Sequence, residues 1–241
     1  MRLLILADVH ANWEALFSLQ RAEPRPDAVL FAGDAVGYGP DPAECARWLL
    51  AQAHTAVRGN HDAQLDTSDK QPDPAFPAEL ALAADETLAF ARQRLAAADA
   101  ARLAAWPETA TAALGGAGFY VCHGTPADPL GGRLNPATAH EADLEQLFDG
   151  ITAEVIVLGH THLPALRRLG KRLIVNPGSL GQPRYGVPDA TYGVWEDGRI
   201  QIKHLHYDHE AVARRLRLAP LSAESSEQLA AILSTGLVPE L

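Results

Sequence analysis

Short apolar runs recur along this chain, and five of them stop at a polar cluster. LLILA, AVLFA, HTAV, GFYVC and EVIVL lead into Asp8-Val9-His10, Gly33-Asp34, Gly59-Asn60-His61-Asp62, His123-Gly124 and Gly159-His160-Thr161-His162. Runs this continuous suit strands buried on both faces. A strand is predicted over 2–7, followed by a helix over 12–20 with Trp13, Leu16, Phe17 and Gln20 on one face. A second strand over 28–32 leads to a helix over 42–53. That helix has Pro in its first turn, where its missing N–H costs nothing, and turns Ala46, Leu49 and Leu50 inward. A third strand is predicted over 54–57. Strands alternating with helices in this way predict a parallel sheet with right-handed crossovers.

The rhythm breaks between 63 and 111. Pro72, Pro74 and Pro77 precede an Ala-rich helical stretch over 78–98, and a shorter one ends at Trp106-Pro107. This reads as a helical insert or cap beside the site, within one domain spanning 1–241. Strands are expected to resume at 118–122, 154–158, 172–175, 191–196 and 201–207. Asp197-Gly198 is a hairpin signal, so the second half should be partly antiparallel. Helices over 209–218 and 225–233 form a tail from about 208 to 241. Two Gly- and Pro-rich loops, 125–138 and 176–189, follow or lie near strand ends, where loops commonly carry specificity.

Composition narrows the function. At 241 residues the chain suits one domain with a sizeable core. A formal net charge of -10 argues against a broad surface for extended nucleic acid. It leaves room for a small phosphoester or nucleotide substrate, because bound divalent ions invert the local sign. No stretch approaches the roughly 18–20 apolar residues of a membrane span, and LLILA is short for a signal peptide, so a cytoplasmic location is expected. Cys45 and Cys122 form no framework, and Cys122 reads as a small buried apolar residue. Self-association is compatible with the sequence.

The side chains in the five clusters are suited to metal. His, Asp and Asn form the N/O donor set preferred by Mn, Fe, Zn, Co or Ni, unlike the all-oxygen set of Ca or the thiolates of structural zinc. Asp8 and His10 lie two residues apart, so a strand running out would place them on one face, and His160 and His162 repeat the spacing. Taken singly, Asp8-x-His10, the Gly-Asn-His-Asp cluster and His123 each read more often as a cap, a turn or a core histidine, while His160-x-His162 after a strand is evenly balanced. Five in succession, each after a strand, predict a binuclear metal site.

The same residues resemble the signature of the calcineurin-like metallophosphoesterases: D-x-H, G-D, G-N-H-(D/E), H and G-H-x-H, in that order. The resemblance runs from residue 2 to about 207. The phrases DVHANWEAL, GDAVGYGPDP and NPGSLGQPR, with the helical tail, are similar to small stand-alone bacterial members. It implies an α/β four-layer sandwich, two mixed sheets face to face and flanked by helices. It implies that Asp8, His10 and His162 hold one ion, that Asn60, His123 and His160 hold the other, and that Asp34 bridges them. Two divalent ions are implied, Mn²⁺ first and Fe, Zn, Ni, Co or Mg as alternatives. A hydroxide shared between them would attack phosphorus in line, with His61 as proton donor to the leaving group.

Asn12, Arg58, Arg184 and Tyr38 are the substrate-contact candidates. Asn12 is also a candidate helix cap, Arg58 a candidate structural ion pair, and Tyr38 and Tyr185 candidate stacking partners for a base or aryl group. The chain departs from members that carry G-D-x-V-D-R-G, since Gly37 and Tyr38 replace the Asp and Arg. Loss of that arginine weakens binding of a dianionic monoester most, so a phosphodiester is the expected substrate. A phosphomonoesterase, a dinucleoside polyphosphate hydrolase and a catalytically silent scaffold are the alternatives.

Overall fold

The computed structural model describes residues 1–66 and 78–238, and Pro72, Pro74 and Pro77 of the expected insert lie outside them. The elements in chain order are β1 (Arg2–Leu6), α1 (Trp13–Ala22), β2 (Ala28–Phe31), α2 (Pro42–Gln52), β3 (Ala53–Ala56), α3 (Asn60–Ala63), α4 (Ala78–Arg94) and α5 (Ala97–Ala104). They continue with β4 (Thr109–Leu114), β5 (Ala117–Cys122), α6 (Glu141–Leu147), β6 (Val155–Val157), β7 (Ala165–Leu169) and β8 (Arg172–Asn176). The chain closes with β9 (Ala190–Glu196), β10 (Arg199–Leu205), α7 (His209–Leu218) and α8 (Ala223–Thr235).

Two five-stranded mixed sheets form, in the orders β10-β9-β1-β2-β3 and β4-β5-β6-β8-β7. In the first, β1, β2 and β3 run parallel, and the β9–β10 hairpin adds antiparallel to β1. In the second, β5, β6 and β8 run parallel, with β4 and β7 antiparallel at the edges. Each sheet therefore presents three adjacent parallel strands whose C-terminal ends point the same way.

The period-2 alternation of side chains sorts residues between layers. Leu3, Ile5, Leu30, Phe119, Val121, Val157 and Trp195 fill the space between the sheets, where Phe119 and Trp195 meet edge-to-face with ring centroids 5.4 Å apart. Leu4, Leu6, Val29 and Phe31 face outward onto a core shared with α1, α2, α4, α7 and α8. Cys122, Ile156 and Ile174 face the other way, onto Leu144 of α6 and onto Phe148. The result is the expected four-layer α/β sandwich.

Four elements differ from the expectation. Strand β4 begins at Thr109, inside the span assigned to the insert, and α3, α6 and β7 were not foreseen. β4 (TATAAL) and β7 (ALRRL) are edge strands rich in Ala or Arg. Their intrinsic strand preference is weak, and the neighbouring strand supplies the drive to pair.

Candidate metal centre

The clustered residues sit just past the ends of the parallel strands, in loops that leave ordinary backbone geometry. Asp8 (φ 53), His10 (φ 44), Asp34 (φ 62), His160 (φ 67) and His162 (φ 60) all adopt left-handed conformations that residues other than glycine seldom occupy. Backbone pairing holds them there, because Asp8 N–H donates to Gly33 O at 2.9 Å and His10 N–H to Asp34 O at 3.0 Å. Asp8 and His10 thus converge through a strained turn, and the strand spacing expected from the sequence is not what aligns them. Strain of this kind, over-determined by its surroundings, is typical of functional sites. Gly59 is required here as well, since a Cβ on it would overlap the Asp34 carboxylate.

Hydrogen-bond roles fix the tautomers. A carbonyl oxygen only accepts, so the contacts from His10 Nδ1 to Val36 O (2.9 Å), His123 Nδ1 to Ala32 O (2.8 Å) and His162 Nδ1 to Gln182 O (2.6 Å) place the proton on Nδ1. In the neutral imidazoles each Nε2 then carries a lone pair. His10 Nε2 and His162 Nε2 face each other at 3.0 Å, with Asp8 Oδ1 3.8 and 3.4 Å away. On the other side, His123 Nε2 meets Asn60 Oδ1 at 3.1 Å, His160 Nδ1 at 3.2 Å and Asp34 Oδ2 at 3.3 Å. Acceptors gathered this closely and buried repel one another unless a cation stands among them. The donor set fits divalent metal.

The electrostatics agree. Burial holds the His10 and His162 imidazoles well below the usual histidine range, and neighbouring positive groups push the same way. Burial also disfavours a charged His123, but Asp34 outweighs it and lifts that group to about 9. A proton there occupies the place of a cation. Asp34 is held well below the carboxylate range: burial opposes this, and His123 and His61 overcome it.

His61 lies at the edge of the cluster, where its ring nitrogen, His10 and Asp34 come within 4.8 Å of one another and could themselves share an ion. Its backbone N–H donates to Asp34 Oδ1 at 2.9 Å, while its Nε2 stands 4.0 Å from Asp34 Oδ2. Tyr38 packs against both His61 and His10 with ring centroids 4.7 Å apart in each case. Only 3% of Tyr38 is exposed, so it offers no face for a base to stack on. Burial raises its phenol to about 12. Tyr185 is also committed, its hydroxyl donating to Asp189 O at 2.9 Å and meeting His204 at 3.0 Å.

The other contact candidates divide. Asn12 caps α1, its Oδ1 accepting from Ala15 N–H at 3.0 Å and its amide donating to Gly181 O at 2.9 Å, so it is a structural residue. Arg58 donates to Ala104 O and to Glu108, at 2.9 and 2.6 Å, and is structural too. Arg184 remains available. Its Nε and Nη2 donate to Gln182 Oε1 at 3.0 and 2.5 Å, its Cζ lies 5.4 Å from the Tyr38 ring, and among the described residues it pairs with no carboxylate.

Several supporting residues escaped the sequence reading. Asn176 donates to Gly159 O at 2.7 Å, Ser179 donates to Asp8 O at 2.7 Å, and Gln182 O accepts the hydrogen bond of His162 Nδ1 at 2.6 Å. Asn176, Ser179 and Gln182 therefore brace the loops that carry the clustered residues. Asp62 is buried, and its carboxylate accepts N–H groups from Asp34, Ala35 and Gly59, so it serves the backbone and does not orient His61.

Residues 1–197 match the calcineurin-like phosphoesterase superfamily domain. Phosphodiesterase YfcE of Escherichia coli is 26% identical over 226 residues, covering 89% of this chain and 97% of the relative. The crystal structure of a metallophosphoesterase from Sphaerobacter thermophilus aligns with a TM-score of 0.79 at 27% identity, over 96% of this chain and 98% of that one. A hypothetical protein from Pyrococcus horikoshii aligns with a TM-score of 0.82 at 21% identity, over 98% of both chains, a likeness of fold alone.

Proposed function

Since the chain belongs to the calcineurin-like phosphoesterase superfamily and is a metal-dependent phosphoester hydrolase, we propose that it cleaves a phosphodiester of a nucleotide or aryl alcohol at a pair of divalent ions. The observation that carries the binuclear reading is the place of Asp34 Oδ2, 3.7 Å from His10 Nε2 and 3.3 Å from His123 Nε2. One carboxylate oxygen thus lies between the two groups of donors. Asp8, His10 and His162 would hold one ion, Asn60, His123 and His160 the other, and Asp34 both. Bound there, two divalent ions supply Lewis-acid polarisation of the phosphoryl oxygens and a nucleophilic water at neutral pH. Mn²⁺ is our choice for the assay, and the donor set equally admits Fe, Zn, Co or Ni.

The chain's own residues do the rest. Asp8 and Asp34 set the charge of the centre, and the braces from Asn176, Ser179 and Gln182 hold its loops in register. His61, at the edge of the centre, is assigned in this reading to the leaving oxygen as its proton donor and not to a metal. Arg184, with no carboxylate partner among the described residues, is placed to grip a phosphoryl oxygen through its guanidinium.

The diester preference rests on Gly37 and Tyr38, which put neither a carboxylate beside His61 nor a second guanidinium beside Arg184. A monoester reading has one observation in its favour, that among the described residues no carboxylate pairs with Arg184. Hydrolysis of bis-p-nitrophenyl phosphate and p-nitrophenyl phosphate by chelator-stripped protein, titrated with Mn²⁺, decides between them. Faster metal-dependent turnover of the diester is expected, and a monoester preference overturns the diester assignment. No turnover with two ions bound would favour a binding role, against which the complete donor set argues. Among the described residues no helix is long and apolar enough to cross a membrane. A small substrate in the cytoplasm is part of the proposal.

A further inference from the structure

The site has five imidazoles, and four of them have a hydrogen-bonding contact that sets the ring: His10 with Val36 O, His123 with Ala32 O, His162 with Gln182 O and His160 with Asn60 Oδ1. His61 is different. Among the described residues neither of its ring nitrogens has a hydrogen-bond partner. An imidazole held only at its Cα turns readily about a broad χ2 torsion. A proton donor must nevertheless reach within roughly 2.6–3.2 Å of the leaving oxygen. Something else must set this ring.

Packing sets it. The Tyr38 ring lies 4.7 Å from the His61 ring at an interplanar angle of 61°, and the His10 ring closes another side at 5.0 Å and 86°. Gly37 (φ +86) lies against Nδ1 so closely that a Cβ would overlap it. Tyr38 is itself immobilised. It sits in a left-handed conformation (φ 58), and its N–H donates to Thr87 Oγ1 at 2.9 Å. Thr87, buried on α4, donates its own hydroxyl hydrogen bond to Ala83 O at 2.6 Å. The guanidinium of Arg184 covers the Tyr38 ring. Among the described residues the phenol oxygen makes no close hydrogen bond, and it is the ring of Tyr38 that touches His61.

We infer that Tyr38 is a positioning residue for His61, and that the helical insert supports the reaction through Thr87, which fixes the Tyr38 backbone. The inference rests on the proposed role of His61 at the leaving group. It gives the insert a task in the chemistry, and it explains Gly37, since any larger residue there displaces the ring.

The test uses metal-loaded full-length protein and aryl phosphodiesters whose leaving groups differ in acidity. Tyr38→Leu should keep both ions and a KM near the parent value. Its kcat should fall about 10–100-fold, most for the poorest leaving group, a share of the 10²–10⁴ typical of a positioned acid. Tyr38→Phe, which keeps the ring, should rescue most of that loss. Adding Tyr38→Leu to His61→Ala should cost little more than His61→Ala alone, because residues acting as a unit are not additive. In NMR spectra of the imidazoles, Tyr38→Leu should move the His61 signals. Thr87→Val, isosteric and remote from the centre, should steepen the leaving-group dependence in the same direction by a smaller factor, and it serves as the test if Tyr38→Leu does not fold. Equal loss across leaving groups, multiplicative losses in the double variant, or Tyr38→Phe as damaging as Tyr38→Leu overturns the inference. If His61→Ala itself leaves the leaving-group dependence unchanged, the role of His61 fails and takes the inference with it. If His61→Ala steepens it and neither Tyr38→Leu nor Thr87→Val does, the inference alone fails.

Discussion

The Asp62 carboxylate accepts the backbone N–H of Asp34 at 2.8 Å, and Asp34 Oδ1 in turn accepts the backbone N–H of His61 at 2.9 Å. Each carboxylate ties down the loop that carries the other. Asp62 also takes N–H groups from Ala35 at 2.9 Å and Gly59 at 3.1 Å, so the turn after β2 and the start of α3 form one rigid unit. Burial and the nearby Asp34 charge raise the Asp62 carboxyl to about 7, and the backbone donors resist that rise.

Replacing Asp62 by Asn would turn an NH₂ toward N–H groups that now find an acceptor. A buried donor left unsatisfied costs about 1–3 kcal/mol. Asp62→Asn should therefore lower the melting temperature and weaken metal binding together, as read by thermal denaturation and metal titration. Parent values for both would show that the latch contributes nothing.

Asp34→Asn should abolish nearly all turnover and reduce bound metal from two ions toward one or none, measured by elemental analysis after dialysis. A carboxamide oxygen is a far poorer bridge between two cations than a carboxylate. Full activity with two ions retained would refute the bridging role.

Metal binding should depend on pH through His123. Its metal-free pKa lies near 9, so at pH 7.5 a proton sits where the ion must bind. Apparent affinity should rise with pH up to about 9 and level off above it, because ligands bind metal only when deprotonated. Calorimetry in buffers of different ionisation enthalpy should show about one proton released per binding event at this group. Proton-free binding between pH 7 and 8 would contradict the assignment.

Arg184→Gln should raise KM, and the inhibition constant of inorganic phosphate, about 10–100-fold with a smaller effect on kcat. A hydrogen bond to a charged group contributes about 1.5–3 kcal/mol. If KM and phosphate inhibition stay unchanged, the guanidinium serves only to cover Tyr38.

The fold was legible where local chemistry suffices. Apolar runs marked β1, β2, β5 and β6, and Pro42 and the Asp197-Gly198 turn marked element boundaries. The edge strands β4 and β7 were illegible because Ala and Arg carry little strand preference, and their pairing energy belongs to β5 and β8. Arg58 and Arg184 looked alike as neighbours of the motifs. Only the fold brings Glu108 to one of them and, among the described residues, no carboxylate to the other.

By itself the sequence determined the kinds of donor present, their order, and their placement after strands, because donor chemistry and hydrophobic period are properties of short segments. Tertiary structure decided which atoms face one another. Thr87 reaches Tyr38 across 49 positions, and His10 meets His162 across 152. It also decided that Asp8, His10, Asp34, His160 and His162 hold left-handed backbones, since only the surrounding packing and hydrogen bonds can sustain that strain.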